Sequence, residues 1–123
     1  MSLRHSLIFV LLTGFLSTAY SGFDEGLAAA NRGDFKTALS EWMPLAEQGY
    51  AKAQFNLGLM YRNGQGVPQD HKEAYAWFAV AAANGHAQAG LDRDMAAKKL
   101  TPSQLEQGQA LAEQYIEKYQ PKS

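Results

Sequence analysis

The chain has 123 residues, no cysteine, and 11 basic against 12 acidic residues, for a formal net charge of −1. That length allows one domain with its own core, and the lack of cysteine excludes disulfides, thiolate metal sites, a cysteine nucleophile and lipid attachment at a cysteine. No basic block exceeds Lys98-Lys99, so the clustered cations that nucleic acid or a membrane surface would need are absent from the sequence.

The first element is a leader. Arg4 precedes the apolar run Leu7-Ile8-Phe9-Val10-Leu11-Leu12, which continues into Gly14-Phe15-Leu16. A permanent membrane span needs about 20 apolar residues, and this run is about half that. Small residues follow at Ser17, Thr18, Ala19 and Ser21, so residues 1–21 read as a secretory signal peptide. Cleavage is expected before Gly22, with a second option before Tyr20. A buried first helix of the domain is the alternative, but nothing polar interrupts Leu7 to Leu12 to give it an outer face. The expectation is an exported chain, periplasmic or secreted, with no permanent membrane span.

The rest of the chain repeats. Ala46, Gly49, Ala51 and Ala53 recur as Ala82, Gly85, Ala87 and Ala89, an offset of 36, which also brings Asp34 onto Asp70, Ala38 onto Ala74 and Trp42 onto Phe78. Upstream the offset is 32: Phe23, Gly26, Leu27 and Asn31 recur as Phe55, Gly58, Leu59 and Asn63. The extra residues sit in one loop, Gly64 to Pro68, where an insertion costs little.

In chain order, the first unit pairs two helices across the tight turn Asn31 to Asp34. Glu25 stands where the second unit has Leu57, which predicts a terminal, partly solvated helix. The second unit predicts a helix over Ala53 to Asn63, stopped by Asn63-Gly64 and Pro68. Asp70 then caps a helix running to Asn84, with Glu73 as the reciprocal member of a capping box and Gly85 as a left-handed stop. Ala74, Trp77, Phe78, Ala81 and Ala82 form its apolar stripe. Gly58 costs about 1 kcal/mol against alanine within a helix, so it predicts a close helix approach, expected near Ala74 and Ala81. From Ala89 the pattern decays. Thr101-Pro102-Ser103-Gln104 starts a last helix with cap, first-turn proline and box; Leu105, Gly108, Leu111, Ala112, Tyr115, Ile116 and Tyr119 make its apolar face.

The run Ala53-Gln54-Phe55-Asn56-Leu57-Gly58-Leu59-Met60-Tyr61, the loop Gly64-Gln65-Gly66-Val67-Pro68-Gln69-Asp70, then Ala74, Trp77, Ala81-Ala82 and Gly85 closely resemble the Sel-one-like repeat, a longer-loop relative of the tetratricopeptide repeat. Gly26 to Gly49 is a weaker match, since Asn31-Arg32-Gly33-Asp34-Phe35 resembles an ordinary tetratricopeptide turn. The resemblance implies an all-α, right-handed α-α solenoid of two to three helix-turn-helix repeats with a C-terminal capping helix. The repeat domain is expected over residues 22–119, in units of about 22–49, 50–85 and 86–119, with 120–123 as a tail.

Chemistry is sparse. His71 and His86 read as solvated turn residues and lack the helical pairing of a zinc site. Asp92-x-Asp94 reads as a helix-end charge pair beside Arg93, lacking the oxygen-rich loop that calcium requires. Ser40, Ser103 and Ser123 have no strand-turn-helix setting for a nucleophile, and Gly64-x-Gly66 follows a helix, whereas dinucleotide loops follow a strand. Trp42, Trp77 and Phe78 read as core. The expectation is no catalysis, no metal, no cofactor and no nucleic acid, with another protein as partner. The alternatives are a polysaccharide- or peptidoglycan-binding module, for which Phe23 and Phe55 would be the aromatic platforms, or a hydrolase with an unrecognised site. By analogy with tetratricopeptide-type arrays, the partner's peptide or helix docks on the concave face of the first helices. The expected contact residues are Phe23, Leu27 and Asn31 in the first unit and Lys52, Phe55, Leu59, Arg62 and Asn63 in the second.

Overall fold

The computed structural model describes residues 22–122; the expected signal segment, residues 1–21, lies outside the described residues. Six helices and no strand are found there: α1 (22–31), α2 (Phe35–Glu47), α3 (Ala51–Asn63), α4 (His71–Ala83), α5 (Ala87–Ala97) and α6 (Pro102–Lys118). The protein is an all-α helical repeat in which α1–α2 and α3–α4 are successive helix-turn-helix pairs.

The turns follow the cap chemistry. Asp34 accepts hydrogen bonds from the Thr37 backbone N–H (3.3 Å) and hydroxyl (2.7 Å), and Asp70 accepts from the backbones of Lys72 and Glu73 (2.9 and 3.2 Å). The Thr37 bonds hold the Asp34 carboxyl below its ordinary range. Gly64 closes α3 in the left-handed conformation, φ +66°. The expected Asp70–Glu73 capping box is only half present. The Asp70 N–H donates instead to the Tyr61 carbonyl (2.9 Å), and the Glu73 carboxylate accepts from the Tyr115 hydroxyl of α6 (2.8 Å). The backbone donor that Glu73 would have served is already used, which frees Glu73 to reach across to the last helix.

α4 is buried on most of its circumference: Ala74, Ala76, Trp77, Phe78, Ala79, Val80 and Ala81 are all in the core. A single stripe was expected. The cause is that α3, α5 and α6 all pack on α4, and alanines let three helices approach one. Gly58 does mark a close approach, but the neighbour is the Phe78 ring rather than Ala74 or Ala81: a Cβ at Gly58 would lie 2.5 Å from two ring carbons. The first pair repeats this device, with Gly26 against the Trp42 indole, whose Nε1 donates to the Phe23 carbonyl (3.1 Å). Glu25 is solvent-exposed on α1, as expected of a terminal helix.

The third unit does not form a pair. α5 packs on α4 in the place of a third first-helix, but α6 lies along α4 instead of against α5. Its Thr101–Gln104 capping box and first-turn proline are present. Gly108 sits against Tyr75, Ala112 against Ala76 and Ala79, and Trp77 meets the rings of Tyr115 (centroids 4.6 Å) and Tyr119 (5.4 Å, 9° between planes).

The end of α6 is locked by a fully buried polar residue. The Gln54 Nε2 donates to the Ala46 carbonyl (2.9 Å) and to the Tyr119 carbonyl (3.0 Å), while its Oε1 accepts from Asn84 Nδ2 (3.0 Å). Asn84 Nδ2 also reaches the Tyr119 carbonyl (3.0 Å). One side chain thus ties together the ends of α2, α4 and α6. Beyond it, Gln120 and Pro121 press on Gly49, φ +94°, where a Cβ would collide with their backbone. The expected tail, residues 120–123, therefore starts with two packed residues.

Candidate functional site

The expected contact residues fall into three groups. Leu27, Asn31, Lys52 and Asn63 are exposed on α1 and α3, with Leu27 at 39%. Phe23 and Phe55 are half-buried and engaged within the chain. Phe23 packs edge-on to Tyr50 (5.3 Å) and against Trp42 (6.0 Å). Phe55 lies 5.6 Å from Phe78 and is stacked on His86 at 4.2 Å and 17°. The covering surface that Phe55 was expected to seek in a partner comes from the chain itself. His86 is correspondingly a packed cap residue of α5, not a solvated turn residue.

Arg62 is also engaged. Its guanidinium pairs with Asp92 of α5 at 3.9 Å and donates to Asn63 Oδ1 at 3.2 Å. Asp92 is buried in mid-helix, where Gln88 also donates to it (3.2 Å), so it is an inter-helix partner rather than a helix-end charge. Asp94 takes the nearby Arg93 instead (3.1 Å).

Leu59 has a different setting. It borders a pocket of about 150 Å³ between the first and second helix pairs. Ala30, Phe35, Trp42 and Met60 complete the apolar lining, and Asn56 and Gln65 add amide groups. A cavity of this size accepts one apolar side chain. Leu27 precedes Ala30 by one turn on α1, and Asn63 follows Leu59 by one turn on α3, so exposed members of the expected set flank the pocket along both helices. Wider surface clefts are also present among the described residues. One, of about 420 Å³, lies between Phe23, Tyr50 and Pro121; another, of about 520 Å³, lies between α4, α5 and α6, with Arg93 and Glu113 in its lining.

Among the described residues the two most exposed large apolar side chains, Leu91 (62%) and Met95 (59%) on α5, were not among the expected contacts. Their signal was available: they follow Phe55 and Leu59 by the same offset of 36 that relates Ala46 to Ala82. Among the described residues no three His, Asp or Glu side chains converge, and no helix is long and apolar enough to cross a membrane.

The fold and the inter-pair pocket define a helical-repeat protein. Residues 51–86, spanning α3, its loop and α4, match the Sel1 repeat family. The chain is also similar to the structure of c5321, a protective antigen present in uropathogenic Escherichia coli strains that displays an SLR fold. That likeness has a TM-score of 0.74 at 37% identity, over 82% of this chain and 23% of the other. Two curated relatives, the DAP3-binding cell death enhancer 1 proteins of Rattus norvegicus and Mus musculus, are each 43% identical over 42 residues, 34% of this chain. The chain spans 8% of the length of those relatives.

Proposed function

We propose that this protein is an exported, non-catalytic interaction module that holds a peptide or helix of a partner protein across α1 and α3. The observation that carries this reading is the pocket at Leu59, an apolar side-chain socket between two repeat units, flanked by exposed Leu27, Asn31, Lys52 and Asn63. An apolar anchor in a socket, with amide groups beside it for the partner's backbone, is the arrangement that gives most interfaces their affinity. The Sel1 match supports a repeat built to present surface, and the rodent relatives are named for binding DAP3. A sugar platform is disfavoured because one face of the Phe55 ring is stacked on His86. Export rests on the leader-like residues 1–21, with the periplasm or the exterior as destination.

The test uses a photo-crosslinking residue at Asn63, with the same residue at Gln109 on α6 as control. Specific capture of a protein from position 63 alone supports the reading. Capture from neither position, or equally from both, contradicts it. Intact-mass analysis of the exported product should show a chain starting at Gly22; a folded product retaining residues 1–21 would contradict the export reading.

A further inference from the structure

The helical register gives each first-helix three sides. On α3, Met60 faces the preceding pair, Gly58 faces its own partner helix α4, Phe55 and Arg62 lie toward α5, and Leu59 lies between the α5 side and the pocket at the preceding pair. The contact between α3 and α5 is therefore made of an apolar pair on one helix, a small residue on the other, and a charge pair. Phe55 and Leu59 pack against the cluster containing Ala96, and Arg62 pairs with the buried Asp92.

Moving along the repeat by 36 places Leu91 and Met95 of α5, and Lys98 at its C-terminal cap, at the positions of Phe55, Leu59 and Arg62. All three are exposed, and because α6 lies along α4, no described helix covers that side. The residues of α1 that match Ala96 and Asp92 are Ala28 and Asp24. They too are exposed, at the register positions that Asn56 and Met60 of α3 turn toward the preceding pair. Each end of the array thus carries one half of the contact that α3 and α5 make with each other.

We propose that a second copy of this chain docks head to tail, with α1 of one copy on α5 of the other. Leu91 and Met95 close over Ala28, as Phe55 and Leu59 do around Ala96, and Lys98 meets Asp24 as Arg62 meets Asp92. Asp94, the exposed acid of α5 near Leu91 and Met95, pairs with Arg93 (3.1 Å). This surface is distinct from the Leu59 pocket, so the two readings stand or fall separately. The contact is heterologous, so it propagates instead of closing at a dimer. One helix face is smaller than the roughly 1,200–2,000 Å² of a stable interface, so association is weak.

The test is sedimentation of the purified chain from about 10 μM to about 1 mM at low salt, a range suited to weak contacts. The weight-average mass should rise continuously past the dimer value. Asp24→Lys and Lys98→Asp should each suppress the rise, and the double variant should restore it, with circular dichroism confirming that every variant is folded. A mass that stays monomeric throughout overturns the proposal, as does a plateau at dimer. Equal behaviour of all four proteins, which would leave the α5 face to some other partner, also overturns it.

Discussion

Gln54→Leu tests the keystone of the fold. The substitution keeps most of the side-chain volume at a fully buried site and removes three hydrogen bonds: those to the Ala46 and Tyr119 carbonyls and the one from Asn84. At about 0.5–1.5 kcal/mol net each, with the abandoned partners buried or partly so, the expected loss is about 2–4 kcal/mol. For a domain of this size 1 kcal/mol moves the melting temperature by about 4–8 °C, so the fall should be about 10–25 °C. Gln54→Glu sharpens the test, since a carboxylate has no donor for either carbonyl and is costly to bury. Its folded-state pKa is then raised above the unfolded value, so the folded state holds the proton more tightly. Stability should be greatest below the ordinary glutamate range and fall as pH rises toward neutrality. The assay is thermal melting by circular dichroism across pH. A Gln54→Leu melt equal to that of the unmodified chain, or a Gln54→Glu variant that gains stability toward neutral pH, would refute the reasoning.

Gly58→Leu should be destabilised by about 1–3 kcal/mol or more in chemical denaturation, because the new side chain meets the Phe78 ring; an unchanged midpoint would remove the close approach. Gly49→Ala should cost about 1–3 kcal/mol through its positive φ and its collision with Gln120 and Pro121, and deleting residues 120–123 should relieve part of that loss. Burial and the hydrogen bond donated to Glu73 hold the Tyr115 hydroxyl well above its ordinary value. Its stabilising contribution is therefore full below pH 10 and declines as pH rises beyond the unfolded tyrosine value, so the alkaline loss of stability should be smaller in Tyr115→Phe. Equal alkaline slopes in the two proteins would contradict this.

Much of the fold was legible because its signals are local. Asp34, Gly64, Asp70 and Thr101-Pro102 announce helix ends through backbone chemistry, and the offsets of 32 and 36 announce two helix pairs. The fate of α6 was not legible. Its apolar face, Gly108, Ala112 and Tyr115, says that something small and aromatic is covered, but not whether the cover goes to α5 or α4. Gln54 was silent for another reason: its repeat equivalents are Gly22 and Gly90, so periodicity carries no trace of a clamp made with Tyr119 and Asn84. For the candidate site, helical spacing placed Leu59, Asn31 and Asn63 on one pair of helices. It could not tell that Phe55 and Arg62 are engaged by His86 and Asp92, because those contacts cross between units and depend on where α5 settles.

The most direct measurement is the affinity of the captured partner segment for Asn56→Trp. Asn56 is half-buried at the Leu59 pocket, and a tryptophan there fills the socket while the core residues around it remain. Binding should weaken by about tenfold or more, the loss of one buried anchor, while the melting temperature stays close to that of the unmodified chain. Undiminished binding by a protein that melts normally would mean that the partner does not enter this pocket.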